Sequence, residues 1–124
     1  MTSLIYNSAL KDMASGAIDF ADDAFLVTLV SQNYLPDKEH TTVADIGSTV
    51  ERQPVAVVVA QDTKRNRIDI TLGGAEWQRA TMTAAGAVYH KADGRLVAYI
   101  DFGRNVSSTN GQFLLTQSTL RLQN

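Results

Sequence analysis

After Gly16 the apolar residues of this chain recur at every second position in a series of short segments, and this period constrains the fold more than any other feature. In residues 67–72, isoleucine and leucine alternate with arginine, aspartate and threonine, which is typical of a strand with one buried face. Glycine, asparagine and aspartate separate such segments, and no helix-length segment lies between them. The sequence therefore predicts a mainly β fold, a single-domain β-sandwich or jelly roll over residues 1–124.

Before Gly16 the apolar period is different. Ile5, Ala9 and Met13 recur at every fourth position, which predicts a short N-terminal helix within an arm of about residues 1–16. A hydroxyl side chain at position 2 or 3 is the expected cap of its start. Gly16 is expected to end the helix, because glycine readily adopts the left-handed conformation.

Six later segments are predicted as strands, at residues 24–30, 55–60, 68–72, 82–90, 96–102 and 113–122. The first is apolar on both faces and is expected to be central. Turns are predicted at Lys91–Gly94, where Asp-Gly accepts positive φ, and at Ser107–Gly111. Residues 38–52 are polar and mixed, and are predicted as a long loop with one helical turn near Val43–Ile46. A loop of this length in a compact domain is often functional.

The charge balance argues against nucleic acid as the main partner. The chain has 13 acidic and 11 basic residues and a net charge of −2, so it lacks the basic excess that phosphate binding favours. The absence of cysteine excludes disulfides and thiolate metal sites. The first residues do not resemble a signal peptide, and the longest apolar run, residues 55–60, is too short to cross a bilayer. We expect synthesis in the cytoplasm and no membrane contact.

Residue types that support catalysis or metal binding do not form known motifs. His40 and His90 lie far apart without metal-ligand spacing, and both are interpreted as surface residues. The carboxylates at positions 19, 22 and 23 lack the spacing of an EF-hand and are interpreted as a solvated turn. The basic residues at positions 64, 65 and 67 are interpreted as a solvated hairpin end, with contact to nucleic acid or to an acidic partner as the alternative. We expect no enzymatic activity, no cofactor and no metal ion.

Trp77 is the only tryptophan, and Tyr89 and Tyr99 stand in later predicted strands. Aromatic residues of a sandwich more often fill the core or an interface, so we predict Trp77 and Phe102 there. The alternative is a sugar-binding platform formed by Trp77 and the tyrosines. That arrangement would make the chain a carbohydrate- or receptor-binding module.

Short motifs follow one another in a defined order along nearly the whole chain. They are Ile5-Tyr6-Asn7, Gly16-Ala17-Ile18-Asp19, Tyr34-Leu35-Pro36-Asp37, Trp77-Gln78-Arg79-Ala80-Thr81, Ala98-Tyr99-Ile100-Asp101-Phe102-Gly103 and Asn110-Gly111-Gln112-Phe113. The ordered set resembles a family of small structural proteins of tailed-bacteriophage virions. The chain departs from that family at residues 49–53, where a longer glycine-rich stretch is shortened, and at residues 116–119, where a tryptophan and a glycine are often found.

The resemblance implies a non-enzymatic structural protein of the virion, made in the host cytoplasm. Within the virion we favour a capsid cement or decoration protein, which would stabilise the shell by bridging neighbouring coat subunits in many copies. Its expected partners are the major capsid protein and copies of itself, as a homo-oligomer on the virion. A component of the tail or of the head–tail connector is the alternative.

The interface is expected in two segments that are hard to place in a minimal sandwich core. The first is the N-terminal segment, whose apolar side chains are expected to be an exposed anchor, so that removing residues 1–7 leaves a folded domain. The second is the loop over residues 34–52. The residues predicted to contact partner subunits are Leu4, Ile5, Tyr6, Tyr34, Leu35, Val43 and Ile46.

Overall fold

The computed structural model describes residues 3–47 and 52–123, in which the chain is mainly β with one α-helix. In chain order the elements are β1 (Leu4–Ile5), α1 (Asn7–Ser15), β2 (Phe25–Val30), a 3₁₀ turn (Val43–Ile46), β3 (Gln53–Val55), β4 (Val57–Asp62), β5 (Arg67–Leu72), β6 (Ala75–Lys91), β7 (Leu96–Leu115) and β8 (Ser118–Gln123). The predicted N-terminal helix and the predicted helical turn within the long loop are confirmed.

The strands form two antiparallel sheets. Five strands lie in the order β1-β7-β6-β2-β3, and three lie in the order β4-β5-β8. β2 lies between β6 and β3, and all but one of its residues are buried, which agrees with its apolar character on both faces. The mainly β class predicted from the two-residue period is therefore confirmed. The finer jelly-roll arrangement stays a prediction.

The chain passes from the first sheet to the second at Ala56. The sequence predicts one strand over residues 55–60, whereas β3 ends at Val55 and β4 begins at Val57. The Ala56 carbonyl accepts a hydrogen bond of 2.7 Å from the amide of Gly73. A Cβ atom on Gly73 would lie 3.0 Å from that carbonyl oxygen, so glycine allows the close approach of the two segments. The break is not visible in the run of valines, because strands of both sheets favour the same residue type.

β6 and β7 form a ribbon that is longer than the sequence predicts. The predicted turn at Lys91–Gly94 is confirmed, and Gly94 there has a φ of 103°. The predicted turn at Ser107–Gly111 is wrong, because these residues lie inside β7 and pair with β6. Asn110 has a φ of 45°, and the register with β6 shifts beside it. The positive φ thus serves a β-bulge rather than a chain reversal.

The start of α1 also differs from the prediction. The helix follows β1 directly, its N-cap is Tyr6, and no side chain caps it. Ser3, one of the predicted caps, instead accepts a hydrogen bond of 2.9 Å through Oγ from the amide of Asp101. The other candidate, at position 2, lies outside the described residues. Gly16 ends the helix as predicted, with a φ of 84°.

One apolar core receives side chains from both sheets. Ile70 of β5 and Leu120 of β8 are buried in the same cluster as residues of β6 and β7. Trp77 retains 3% exposure and packs edge-on against Phe113, with ring centroids 6.0 Å apart. Its predicted place in the core is confirmed. Phe102 is half-buried and lies beside the same Phe113 ring.

The three aromatic residues of the alternative sugar-binding platform are not accessible to a ligand. Trp77, Tyr89 and Tyr99 are all buried, and Tyr89 is fully inaccessible. Stacking on a sugar requires an exposed ring face. These three rings therefore contribute to packing and do not form a platform.

The burial of Trp77 predicts a large loss of stability on truncation. Trp77→Ala should lower the free energy of unfolding by about 3–5 kcal/mol, because it removes buried area and leaves a cavity. Leu114→Ala is the matched control: Leu114 is 64% exposed, and the expected change is within about 0.5 kcal/mol. Urea unfolding followed by circular dichroism measures both. Equal, small effects of the two substitutions would contradict the assignment of Trp77 to the core.

A glycine in β6 supports a second stability prediction. A Cβ atom on Gly86 would lie 2.5 Å from the ring of Tyr99, which is itself buried and packed edge-on against Tyr34. Gly86→Ala should therefore cost about 1–3 kcal/mol of unfolding free energy through overpacking. Gly111→Ala is the control, because its Cβ atom would meet no atom closer than 3.6 Å. If thermal unfolding shows Gly86→Ala to be as stable as Gly111→Ala, the Tyr99 ring does not lie over Gly86.

Candidate protein-binding surface

Tyr6 and Tyr34 join the two segments that the sequence marks as an interface. Their hydroxyl groups lie 2.7 Å apart in a buried hydrogen bond. The Tyr34 hydroxyl also lies 2.9 Å from Nδ1 of His40. Tyr6 is fully buried and Tyr34 retains 9% exposure, so both rings belong to the core. The N-terminal segment and the loop after Tyr34 are therefore parts of one packed unit.

The N-terminal segment is a strand rather than a free arm. Leu4 and Ile5 pair with β7 and are half-buried against the core. The expectation of an exposed apolar anchor is wrong for Tyr6, because a short apolar run buries more surface by joining a sheet edge than by projecting into water. The expectation that residues 1–7 are dispensable conflicts with this arrangement, since their removal takes away β1 and a buried ring.

Backbone hydrogen bonds hold the loop over residues 34–47 against the rest of the domain. The amide of Asn7, at the start of α1, donates to the carbonyl of Lys38 at 2.9 Å. The amide of Val43 donates to the carbonyl of Gly94, in the β6–β7 turn, also at 2.9 Å. The described part of the loop thus has a defined conformation, although it contains little regular secondary structure.

The 3₁₀ turn inside this loop is fixed by its own capping residues. Thr42 and Asp45 form a reciprocal capping box, in which each side chain bonds to the other residue's backbone. Oδ2 of Asp45 also accepts a hydrogen bond of 2.8 Å from the amide of Thr41. Hydrogen bonds from the backbone amides of Thr41 and Thr42 lower the pKa of the Asp45 carboxyl, which stays ionised at neutral pH. The turn orients Ile46 into the core, where it is 6% exposed.

Leu35 is the most exposed large apolar side chain of the described residues, with 72% of its surface accessible. It lines a groove of about 470 Å³ together with Tyr34 and Ile46, while Asn33 and Asp45 supply polar groups to the same groove. Leu35 gives the groove an apolar centre and Asn33 and Asp45 give it a polar edge, and protein interfaces combine an apolar core with a polar rim. This Leu35 groove, formed by residues 30, 31, 33–35, 40 and 44–47, is the candidate functional site.

The tyrosines behind the groove form a neutral cluster. Burial raises the pKa of Tyr6, and its hydrogen bond to Tyr34 raises it further. Burial also raises the pKa of Tyr34, and it raises the pKa of Tyr99 to about 12. All three hydroxyls therefore remain protonated at any physiological pH. The cluster can support the groove by packing and hydrogen bonding, but it presents no ionised phenolate to a ligand.

Both histidines differ from their interpretation as surface residues. His40 is half-buried, and its ring lies 5.6 Å from the Tyr34 ring, so it forms part of the groove. His90 is fully buried in β6. Its Nδ1 atom lies 2.8 Å from the carbonyl oxygen of Lys91, which can only accept, so Nδ1 carries the proton. Nε2 has no hydrogen-bond partner among the described residues.

Charged side chains of the two clusters noted in the sequence form hydrogen bonds and ion pairs with nearby residues. In the acidic turn, Oδ2 of Asp23 accepts a hydrogen bond of 2.8 Å from the amide of Asp19 and lies 3.3 Å from Nζ of Lys91. In the basic hairpin end, Arg65 lies 3.0 Å from Asp62. Within residues 3–47 and 52–123, no group of three or more histidine and acidic side chains could hold a metal ion. These clusters therefore serve the local turns.

The predicted interface residues divide into three groups in the structure. Tyr6, Tyr34 and Ile46 are buried, and Leu4, Ile5 and Val43 are half-buried. Leu35 alone of this set is exposed. Sequence reasoning missed the role of His40 in the groove, because its contact with Tyr34 depends on the fold of the loop between them. The Tyr-Leu-Pro-Asp motif supplies Tyr34 and Leu35 to the groove, and its role as an interface stays a prediction.

Within the described residues, no helix is long and apolar enough to cross a membrane. Comparisons with protein-family models, with curated proteins and with solved structures find no match to this chain. The proposals below therefore rest on the sequence motifs and on the contacts of the described residues.

Burial of His90 predicts a specific dependence of stability on pH. Burial lowers the pKa of His90 from its ordinary value of 6.5, and the positive charge of Arg52 lowers it further, against the opposing effects of the Lys91 carbonyl and Asp93. The folded protein thus binds this proton less readily than the unfolded chain. Stability should be retained above pH 6.5 and should fall as the pH drops below that value.

The test compares His90→Asn with the unmodified chain by urea unfolding at intervals from about pH 5 to 7, where histidine titrates. The substitution should flatten the pH slope in this window. The matched control, His40→Asn, leaves the buried ring in place and should retain the slope attributed to His90. An unchanged slope in His90→Asn would show that another group is responsible.

Proposed function

We propose that this chain is a non-enzymatic structural protein of a tailed-bacteriophage virion, and that it acts as a capsid cement protein. The motif order along the chain supports the virion assignment. The Leu35 groove supports the binding role, because it combines an exposed aliphatic side chain with a buried, hydrogen-bonded base. In this role the protein contributes binding energy alone, and many copies bridge neighbouring coat subunits.

The single observation that carries the binding role is the exposure of Leu35 on an ordered support. Leu35 is 72% exposed, while the adjacent Tyr34 is buried and bonded to Tyr6. An anchor on a preorganised loop loses less conformational entropy on binding than one on a mobile loop. The loop therefore presents Leu35 in a fixed position, as a contact with a shaped pocket on a coat subunit requires.

The alternative function is a component of the tail or of the head–tail connector. It uses the same groove and the same mode of binding, and it differs only in the partner. The distinction lies in which assembly the chain binds, shells or tails.

Leu35→Asp should strongly weaken co-sedimentation of the chain with empty shells of its phage. Placing a carboxylate at the centre of an apolar contact removes the anchor and adds a desolvation cost, and loss of a central anchor is worth about 2 kcal/mol or more, or roughly thirtyfold in affinity. The measurement is the bound fraction over a range of shell concentrations, for the full chain and for the variant.

Leu10→Asp is the matched control for this experiment. Leu10 is 45% exposed on α1 and does not line the groove, so its substitution should leave binding unchanged. Equal losses in the two variants would refute the groove as the contact surface. Failure of the unmodified chain to bind shells, together with binding to tails, would favour the alternative function. Failure to bind either would contradict the virion role.

A further inference from the structure

β4 lies at one end of the three-stranded sheet. In the part of the chain that the structure describes, β4 pairs with β5 on one side, and no strand pairs with its other side. An open edge strand presents unpaired amide and carbonyl groups, which favour pairing with a further strand. Proteins commonly protect such edges by shortness, proline or charge.

The other strands at the ends of the two sheet orders carry such protection. β1 is two residues long, β3 is three residues long and contains Pro54, and β8 carries Arg121. β4 is six residues long, and its first five residues, 57–61, contain no charge, no proline and no glycine. Val58 and Val59, which point to opposite faces of the strand, are 61% and 47% exposed. β4 therefore lacks the protection of the other edges.

The apolar face of the three-stranded sheet continues to this edge. Val59 pairs with Ile70, and Ile70 pairs with Leu120, so the three residues form one row across the sheet. Ile70 and Leu120 are 1% and 6% exposed, whereas Val59 is 47% exposed. This row is thus buried at Ile70 and Leu120 and exposed at Val59, on the outer edge of the sheet.

We propose that β4 pairs with β4 of a second copy of this chain, antiparallel and with Val59 opposite its own counterpart. The two three-stranded sheets then form one six-stranded sheet, and the row of Val59, Ile70 and Leu120 continues across the two-fold axis. This inference concerns self-association and does not depend on the virion role.

Charge distribution on β4 favours a second copy as its occupant. Asp62 is the charged residue of this strand, and it already lies 3.0 Å from Arg65. With Val59 opposite itself, residue 62 faces residue 56 of the other copy, so the two aspartates do not meet. A two-fold axis perpendicular to the sheet also keeps the same face of both sheets on the same side. In this register the uncharged residues 57–61 of one copy lie opposite the uncharged residues 57–61 of the other, and no like charges meet.

The oligomeric state tests the proposal directly. Sedimentation velocity of the purified full chain should show a dimer that dissociates on dilution. Val59→Lys places two ammonium groups opposite each other at the axis and should give a monomer at every concentration that retains the circular dichroism spectrum of the unmodified chain. Leu114→Lys, at an exposed leucine that is not on β4, should leave the dimer intact.

Cysteine crosslinking tests the register independently of any effect of lysine on folding. The chain contains no cysteine, so a single introduced thiol can crosslink only to its own counterpart. Residues opposite each other in antiparallel strands have Cα atoms about 4.5–5.5 Å apart, which suits a disulfide, whereas residue 60 and its counterpart would be about 8 Å apart. Under mild oxidation Val59→Cys should therefore crosslink much faster than Ala60→Cys.

A monomeric full chain at all concentrations would overturn the proposal, and would leave the edge to a strand of a different protein. A dimer that persists in Val59→Lys would also overturn it, because the copies would then associate through another surface. So would equal crosslinking of Val59→Cys and Ala60→Cys. Loss of the dimer with retained binding to shells would leave the proposed cement role unaffected.

Discussion

The hydrogen bond between the hydroxyls of Tyr6 and Tyr34 is the interaction on which the candidate surface depends. It lies in the core and connects the end of β1 to the loop that carries Leu35. Removing the Tyr34 hydroxyl leaves the buried Tyr6 hydroxyl without its hydrogen-bond partner, which costs more than the loss of a typical solvent-exposed hydrogen bond, whereas the Tyr34 hydroxyl keeps its contact with His40. The rings also pack on the first sheet, where Tyr34 meets Tyr99 edge-on and Tyr99 lies over Gly86. The conformation of the loop is thus determined by contacts made in the interior.

In this arrangement the support of the surface and its exposed apolar side chain come from different residues, which the sequence does not distinguish. Apolar residues before α1 and in the Tyr-Leu-Pro-Asp segment look alike in the sequence, because none of them fits the alternating strands. In the structure Tyr6 and Tyr34 are buried and hydrogen-bonded to each other, whereas Leu35 is exposed, where we propose that it contacts a partner. A binding surface benefits from both, since rigid support lowers the entropy lost on association. β4 presents a second exposed apolar region on the other sheet, where backbone pairing rather than a side-chain anchor would provide the contact.

The fold class followed from the sequence because period and turn chemistry are local properties. Alternation in β5, the helix that ends at Gly16 and the turn at Lys91–Gly94 are all visible within a few residues. The break at Ala56 and the bulge at Asn110 were not predicted, because each depends on a partner strand that is distant in sequence. The burial of His90 was also not predicted, because it depends on strands that are distant in sequence. Its neighbours in β2 and β7 exclude water from the ring, and a polar residue at a strand end gives no sign of this.

A double-mutant cycle tests whether Tyr6 and Tyr34 together fix the loop. Tyr6→Phe, Tyr34→Phe and the double variant keep both rings and remove one or both hydroxyls, and the cycle isolates their mutual interaction from the contact between Tyr34 and His40. The measurement is the free energy of unfolding of the four proteins in urea. A coupling energy of about 0.5–1.5 kcal/mol is predicted for this buried hydrogen bond. Strictly additive effects of the two substitutions would show that the hydroxyls do not interact and would contradict the account.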